Sequence, residues 1–210
     1  MSLAELRVRT PRLELRPATR AELLQLVEVA RGGVHPPERT PFYHPWTDRA
    51  PLPEFVEEFL AHHERPWDPD DWTLHLVAFL DGRPIGEQTV RSVRFADTLT
   101  VDTGSWLGEP WQNRGLGTEM RAGALELAFR GLGAEAATSG AFADNPQSAR
   151  VSEKLDYRQV GEREVAPRGA PVLERQYRLE RTDWRSRFLV ELAGVEGVAA
   201  IVRSRPDPPP

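Results

Sequence analysis

The chain has 210 residues, no cysteine and a formal net charge of -5. Its length suffices for one large domain or two small ones. The acidic balance argues against a nucleic-acid-binding surface, which is normally basic. The lack of cysteine excludes disulfides, thiolate metal sites and a cysteine nucleophile, and no segment approaches the ~20 apolar residues of a membrane span. We therefore expect a cytoplasmic protein that binds neither nucleic acid nor membrane.

The first third of the chain predicts a strand, two helices and a long loop between the helices. Residues 13–16 alternate apolar and charged side chains, as in a half-buried strand. Thr19 and Glu22 have the spacing of a capping box, so the first helix begins there. A proline-rich loop from residue 34 to residue 53 then leads into a second helix, predicted over residues 52–65.

The rest of the chain alternates strand and helix patterns. Asp81-Gly82 lies between two alternating segments and is a strong hairpin signal. The predicted strands cover residues 72–80, 85–93, 99–107, 136–142, 157–164 and 172–179. Helices are predicted over residues 117–130, 146–154 and 183–192. This order predicts a mixed α/β domain with an antiparallel half and one parallel crossing.

The most informative segment runs from Trp106 to Met120, where a strand ends, a turn follows and a helix begins. Gly115 and Gly117 would let the backbone approach an anion closely while the first helical N–H groups point at it. Arg114 adds a positive charge. A dinucleotide fingerprint would need a third glycine where Met120 stands, and a P-loop would need a Gly-Lys-Ser/Thr run. The residues alone leave two interpretations open, a pyrophosphate cradle and an ordinary helix start.

Four segments of the chain resemble one family. Gln112-x-x-Gly115-x-Gly117 is similar to the acetyl-CoA pyrophosphate motif of the GNAT superfamily of N-acetyltransferases. Residues 145–157 resemble that family's N-x-x-S-x-R-x-x-E-K-L-G-F segment, with Asp156 in place of the glycine. Residues 10–17 and 177–184 resemble the start and the closing strand of the branch that acetylates ribosomal-protein N-termini.

The resemblance implies a fold and an activity. The implied α/β GNAT fold has a central, mostly antiparallel twisted sheet with one parallel, splayed strand pair and helices on both faces. It would occupy residues 6–184, followed by a helical extension at 185–204 and a disordered proline-rich tail at 205–210. The implied reaction moves an acetyl group from acetyl-CoA, a co-substrate, to a primary amine of a small molecule or a protein N-terminus. No metal ion is expected, and a homodimer is expected because the family often dimerises.

The resemblance also assigns cofactor contacts. Backbone N–H groups of the helix-opening loop would bind the pyrophosphate, and Gln112 would shape that loop. The backbone of Trp106, Leu107 and Gly108 would leave the neighbouring parallel strand and bond the pantetheine arm. Asn145 and Ser148 would contact the pantetheine or the thioester, although Asn145 before a proline also suits a plain N-cap. The loop residues are Asn113, Arg114, Gly115, Leu116, Gly117 and Thr118.

Acyl transfer to an amine needs a proton acceptor for the amine and a proton donor for the thiolate. Without cysteine, we expect direct attack within a ternary complex. Asp102 and Glu87 are the candidate bases, and either could instead be a structural carboxylate. The tyrosine that relatives use as the acid falls near Ser152 here, so Ser152, Ser148 or water would serve. A degenerate domain that binds acyl-CoA without turnover is therefore the alternative hypothesis.

The loop between the first two helices is rich in aromatic side chains. Such side chains are costly to expose on a loop without a purpose. Tyr43, His44 and Trp46 would form a wall that holds a cationic or apolar amine, helped by cation–π attraction. The alternative is that they cap the core between the helices. The adjacent His62 and His63 are expected at the surface, and no histidine has metal-ligand spacing.

Overall fold

A computed structural model describes residues 3–203, so the tail predicted to be disordered at residues 205–210 lies outside the description. Within these residues one sheet has the strand order β7-β8-β6-β5-β4-β3-β2-β1-β9. The strands are β1 (Arg7–Arg9), β2 (Leu13–Arg16), β3 (Asp71–Leu80), β4 (Arg83–Val93), β5 (Thr100–Leu107), β6 (Ala136–Phe142), β7 (Arg158–Val165), β8 (Val172–Glu180) and β9 (Glu191–Ala193). The helices are α1 (Arg20–Arg31), α2 (Phe55–His63), α3 (Phe95–Thr98), α4 (Leu116–Glu126), α5 (Pro146–Lys154) and α6 (Val195–Arg203). None of the helices in this range is long and apolar enough to cross a membrane.

The strand pairing confirms the predicted sheet. β5 and β6 run parallel, and the other neighbouring strands in the described range pair antiparallel. Asp81 and Gly82 both have positive φ, at 50° and 76°, and join β3 to β4 as the hairpin signal predicts.

Helices cover both faces of the sheet, as the resemblance implied. On β3, Leu74 and Leu76 belong to the core cluster that contains α4, whereas Val77 and Phe79 belong to the cluster formed with α1 and α2. Successive side chains of a strand point to opposite faces, so one strand supplies both cores.

The first helix begins as predicted. The Thr19 hydroxyl accepts a hydrogen bond from the Glu22 N–H, and the Glu22 carboxylate accepts one from the Thr19 N–H at 2.8 Å. α4 begins at Leu116 and continues beyond Glu126 as a wider π-helical segment to Leu132.

The predicted helix over residues 183–192 is wrong. Its last residues form β9, where Leu192 pairs with Val8 of β1, and the helix of this region is α6. The edge of β1 offers backbone groups that a strand can satisfy and a helix cannot. Arg130 on the preceding helical segment also donates to the Val190 carbonyl at 2.6 Å, which holds the chain extended. The division into a domain at 6–184 and an extension at 185–204 stays a prediction, but the extension contains a strand as well as a helix.

Candidate active site

A slot opens between the two parallel strands. β5 and β6 pair only over three residues, from Thr100 with Ala136 to Asp102 with Thr138. Beyond this point β5 follows β4 and β6 follows β8. Hydroxyl groups tie the strands where they diverge, because Thr103 Oγ1 donates to the Thr138 carbonyl at 3.0 Å. The slot therefore has backbone edges and a closed, hydroxyl-lined base.

The slot ends at the loop that opens α4. Gln112 Nε2 donates to the carbonyls of Leu107 at 2.8 Å and Val34 at 2.7 Å, which ties the loop to β5 and to the segment after α1. Asn113 and Gly115 adopt left-handed conformations with φ of 59° and 77°. The first N–H groups of a helix have no partner within it, and the helix dipole makes its N-terminus attractive to anions. The loop can therefore hold a phosphate group.

One cleft of about 1060 Å³ contains the slot and the loop. Gly117 and Thr118 of α4 line it, as do Asn145 and Ser148 of α5. The Asn145 side chain accepts a hydrogen bond from the Ser148 N–H at 3.3 Å, so its N-cap role is confirmed. This role leaves the Asn145 amide nitrogen available to a ligand.

The aromatic loop forms another wall of this cleft. Trp46 is half-buried and its ring lies 5.2 Å from that of Trp106 and 5.1 Å from that of Phe42. Tyr43 is 57% exposed, and the Arg163 guanidinium lies 6.0 Å from its ring centroid. Trp46 thus caps the core while Tyr43 is available to a ligand, so both interpretations of the loop apply to different residues.

Two arginines bind the aromatic loop by hydrogen bonds across the cleft. Arg168, in the β7–β8 turn, donates to Asp48 at 2.9 Å and to the Pro37 carbonyl at 3.0 Å. Arg39 donates to the Asp144 carbonyl in the turn before α5. The loop therefore bridges from the helical side to the far half of the sheet.

Glu87 is the centre of a buried network on the same side of the sheet. Its Oε1 accepts from His75 Nδ1 at 2.6 Å and from His63 Nε2 at 3.1 Å, and its Oε2 accepts from Trp106 Nε1 at 3.2 Å. His63 Nδ1 also lies 2.7 Å from the Phe59 carbonyl, to which it donates. A His63 ring that donates from both nitrogens is an imidazolium.

The electrostatics agree with this ion pair. Burial alone would raise the pKa of Glu87, but the charge and hydrogen bond of His63 and the hydrogen bond of His75 hold it well below its ordinary value. Burial alone would lower the pKa of His63, yet the opposing charge of Glu87 raises it. The expected surface position is right for His62, which is exposed, and wrong for His63, whose side chain is 4% exposed.

Three potential metal ligands also meet in this network. The ligand atoms of His63, His75 and Glu87 lie within 4.8 Å of one another, a spacing that could hold a metal ion. All three groups already have hydrogen-bond partners, so their burial is satisfied without one. The residues come from α2, β3 and β4, which explains why sequence spacing did not reveal them.

Comparison with known proteins identifies the family. A family model described as an acetyltransferase (GNAT) domain matches residues 12–158. The chain belongs to the GNAT acetyltransferase family. The family is one of acyltransferases, and the match confirms the resemblance inferred from the sequence segments.

Solved GNAT structures share the fold at low sequence identity. RimJ of Mycobacterium smegmatis, in complex with CoA-disulfide, is 18% identical, with 84% of this chain and 85% of that chain covered and a TM-score of 0.60. A GNAT-family acetyltransferase from Bacillus anthracis is 16% identical, with 84% and 99% covered and a TM-score of 0.64. An N-acetyltransferase from Staphylococcus aureus Mu50 is 16% identical, with 80% and 98% covered and a TM-score of 0.62.

The candidate catalytic residues of this GNAT domain, Asp102, Glu87 and Ser152, differ in burial and in whether they line the cleft. Asp102 and Glu87 both line the cleft. Asp102 is partly buried at the base of the slot, where desolvation raises its pKa although the Thr138 hydroxyl donates to it at 3.0 Å. Ser152 is fully buried and accepts a hydrogen bond from Arg121 at 3.1 Å. The structure therefore places both carboxylates in one cleft and leaves Ser152 outside the cleft lining.

Sequence reasoning missed two features of the GNAT domain's site. One is the pair His63 and His75, and the other is Arg121, which is buried on α4. A signal existed for His75, which stands among apolar residues of β3, whereas α2 and α4 each contain several charged residues and gave none. Burial of such residues requires partners, but only the fold shows which partners they have.

Proposed function

We propose that this GNAT protein transfers an acetyl group from acetyl-CoA to a primary amine by direct attack in a ternary complex. The observation that carries the proposal is the continuity of the slot with the helix-opening loop and the two carboxylates in one cleft. In this arrangement the pyrophosphate meets the N–H groups of residues 114–118. The pantetheine arm then follows the β5 backbone at Trp106–Gly108 toward a thioester near Asp102, with Asn145 and Ser148 beside it.

The reaction requires two proton movements. A cationic acceptor first releases one proton to solvent. The neutral amine then attacks the thioester carbonyl carbon, the C–N bond forms, the C–S bond breaks and the thiolate leaves. Asp102 takes the amine proton, since a carboxylate with a raised pKa is a better base near neutrality. Water or Ser148, which lines the cleft, gives the thiolate its proton. Glu87 is the second candidate base. Its ion pair with His63 suits it better to a structural role beside the aromatic loop.

The acceptor amine approaches from the side of the aromatic loop. Tyr43, His44 and Trp46 line that part of the cleft together with Glu58. Aromatic faces and a carboxylate favour a cationic amine over an anionic one. Because the loop is fastened across the cleft, the acceptor is a small amine or a flexible N-terminus that enters end-on.

Binding without turnover is the second candidate function. Position 152, near which the resemblance would put the tyrosine acid, holds a fully buried serine, and this favours binding alone. The experiment incubates the protein with acetyl-CoA and a panel of polyamines, amino sugars and N-terminal peptides, and measures free thiol. Thiol release that depends on an amine supports transfer. Heat stabilisation by acetyl-CoA without thiol release supports binding alone, and neither response would refute both functions.

A further inference from the structure

Arg121 is a buried cation at the base of the slot. It lies on α4, is 3% exposed and lines the cleft. Its Nη1 donates to Ser139 Oγ at 3.0 Å and to Ser152 Oγ at 3.1 Å, and its Nη2 donates to Ser105 Oγ at 3.1 Å. These three serines belong to β6, α5 and β5, so Arg121 spans the gap between the diverging strands.

The charge of Arg121 has no counterion in direct contact. Within residues 3–203, no carboxylate lies at ion-pair distance from its guanidinium, although the buried Glu119 pairs with Arg12 at 2.6 Å. Asp102 and Tyr157 act on Arg121 only through their fields, while burial lowers the pKa of Arg121 from its ordinary value. A buried charge with only hydroxyl partners is expensive, and an incoming anion would offset that cost.

Two N–H donors of Arg121 have no partner within the described residues. A guanidinium has five N–H donors, of which the three serines take three. Buried Nε is one of the two that remain, and it has no partner. The other belongs to Nη2, and the Nε–Nη2 edge of an arginine is suited to hold a carboxylate with two parallel hydrogen bonds.

We infer that the slot also accepts, and prefers to acetyl-CoA, a coenzyme A thioester whose acyl chain ends in a carboxylate, which Arg121 binds. The inference rests on the proposed function, because the thioester must lie in the slot for its acyl chain to reach Arg121. The transfer chemistry is unchanged: the C–N bond forms, the C–S bond breaks and coenzyme A leaves as the thiol. The product amide carries a carboxylate, so a cationic acceptor becomes an anionic product.

Three donors test the inference on the wild-type protein. Isothermal titration without acceptor measures the Kd of acetyl-CoA, butyryl-CoA and succinyl-CoA. Butyryl-CoA and succinyl-CoA have four-carbon acyl chains, and only the second ends in a carboxylate. We expect the Kd of succinyl-CoA to be at least about tenfold lower than that of butyryl-CoA. The reason is that only succinyl-CoA can form a charge-assisted bidentate pair with Arg121.

Variants of Arg121 then locate the effect. Arg121→Met keeps the length of the side chain without the charge and should remove the preference for succinyl-CoA. Arg121→Lys keeps the charge without the planar fork and should retain part of it. The matched control is Arg83→Met, at an exposed arginine of β4 that does not line the cleft, which should keep the full preference. Melting curves show which variants are folded.

The outcomes separate this inference from the proposed function. If wild-type protein binds butyryl-CoA or acetyl-CoA as tightly as succinyl-CoA, the carboxylate site is refuted while acetyl transfer stands. If folded Arg121→Met retains the preference, Arg121 is not the carboxylate site. If none of the three thioesters binds, both the inference and the proposed function are wrong. The wild-type comparison decides the question even if every Arg121 variant fails to fold.

Discussion

At the scale of single residues, the surroundings shift the pKa values of the two carboxylates of the cleft in opposite directions. Desolvation raises the pKa of Asp102, whereas the ion pair with His63 holds that of Glu87 well below its ordinary value. Groups of one chemical type take different roles when their environments separate their pKa values. Asp102 is therefore the better proton acceptor, and Glu87 the better fixed charge.

Asp102→Asn should lower kcat by about 10²–10⁴ and leave the Kd of the CoA thioester unchanged. A base works only when deprotonated, so wild-type activity rises with pH through the pKa of Asp102, which lies above the ordinary aspartate value. Steady-state rates across pH would detect both effects, and the variant should lose this rise. A pH–rate profile that is the same in both proteins would move the role to Glu87 or to water.

Tyr43→Ala and Trp46→Ala should have different effects. Tyr43 is exposed, so its loss should raise the acceptor KM about two- to fivefold, as expected for 0.5–1 kcal/mol of cation–π attraction, with no change in melting temperature. Trp46 packs on Phe42, Phe55 and Trp106, so its loss should cost about 2–4 kcal/mol of unfolding free energy. Acceptor kinetics and thermal melts check both. An equal loss of stability in Tyr43→Ala would show that the whole loop belongs to the core.

At the scale of elements, the start of α1 shows how a local motif acquires a tertiary partner. Glu22 closes the capping box with Thr19 and also pairs with Arg16 of β2, at 3.0 Å to Nη1. The hydrogen bond from Arg16 is the main cause that lowers the pKa of Glu22 to about 2, although partial burial opposes it. One carboxylate thus fixes the helix start and joins it to the sheet.

Glu22→Gln should destabilise the protein near pH 7 and have little effect near pH 2. Glutamine keeps the capping hydrogen bonds but not the charge that Arg16 meets. The folded pKa of Glu22 lies below the ordinary value of 4.5, so its contribution is present above pH 4.5 and lost as pH falls toward 2. Melting curves of both proteins from pH 7 to pH 2 should converge. A difference that persists at pH 2 would show that packing of the side chain, not its charge, stabilises the helix start.

At the scale of the whole molecule, the cleft is closed only by parts distant in sequence, including the α4 loop, β5, α5 and the bridging aromatic loop. A ligand that binds this assembled surface and not the unfolded chain stabilises the native state. CoA-thioester binding should therefore be visible as global stability.

Saturating acetyl-CoA should raise the melting temperature of the wild-type protein, and Gly117→Val should abolish that rise. At a hundredfold excess over Kd the gain is about 2.7 kcal/mol. A Cβ at Gly117 would lie 3.8 Å from Leu107 Cδ1 and 4.0 Å from Val151 Cγ2, so the fold accommodates it, while a valine side chain would occupy the space beside the loop. The control is Gly117→Ala, which should fold and lose less of the response. A folded valine variant that responds like wild type would refute the phosphate-loop assignment.

Local sequence patterns were enough to predict a structural feature where residues close in sequence cause it. The capping box of Thr19, the Asp81-Gly82 turn and the loop at Gly115 depend on hydrogen bonds and φ values within a few residues, and each is found where predicted. The helix predicted over residues 183–192 failed because its alternative partner, β1, lies more than 170 residues earlier. A strand at a sheet edge is stabilised by that partner, which no local pattern contains.

The family, the order of most elements and the loop that opens α4 could therefore be predicted from residue patterns alone. The folded arrangement shows that Glu87, His63 and His75 share one network and that Arg121 is buried among three serines, with no counterion within residues 3–203. Charge pairing and desolvation depend on distance in space and on exclusion of water. Both quantities arise only when α2, β3, β4, β5, β6, α4 and α5 pack together, so the chemistry of the cleft is a property of the fold.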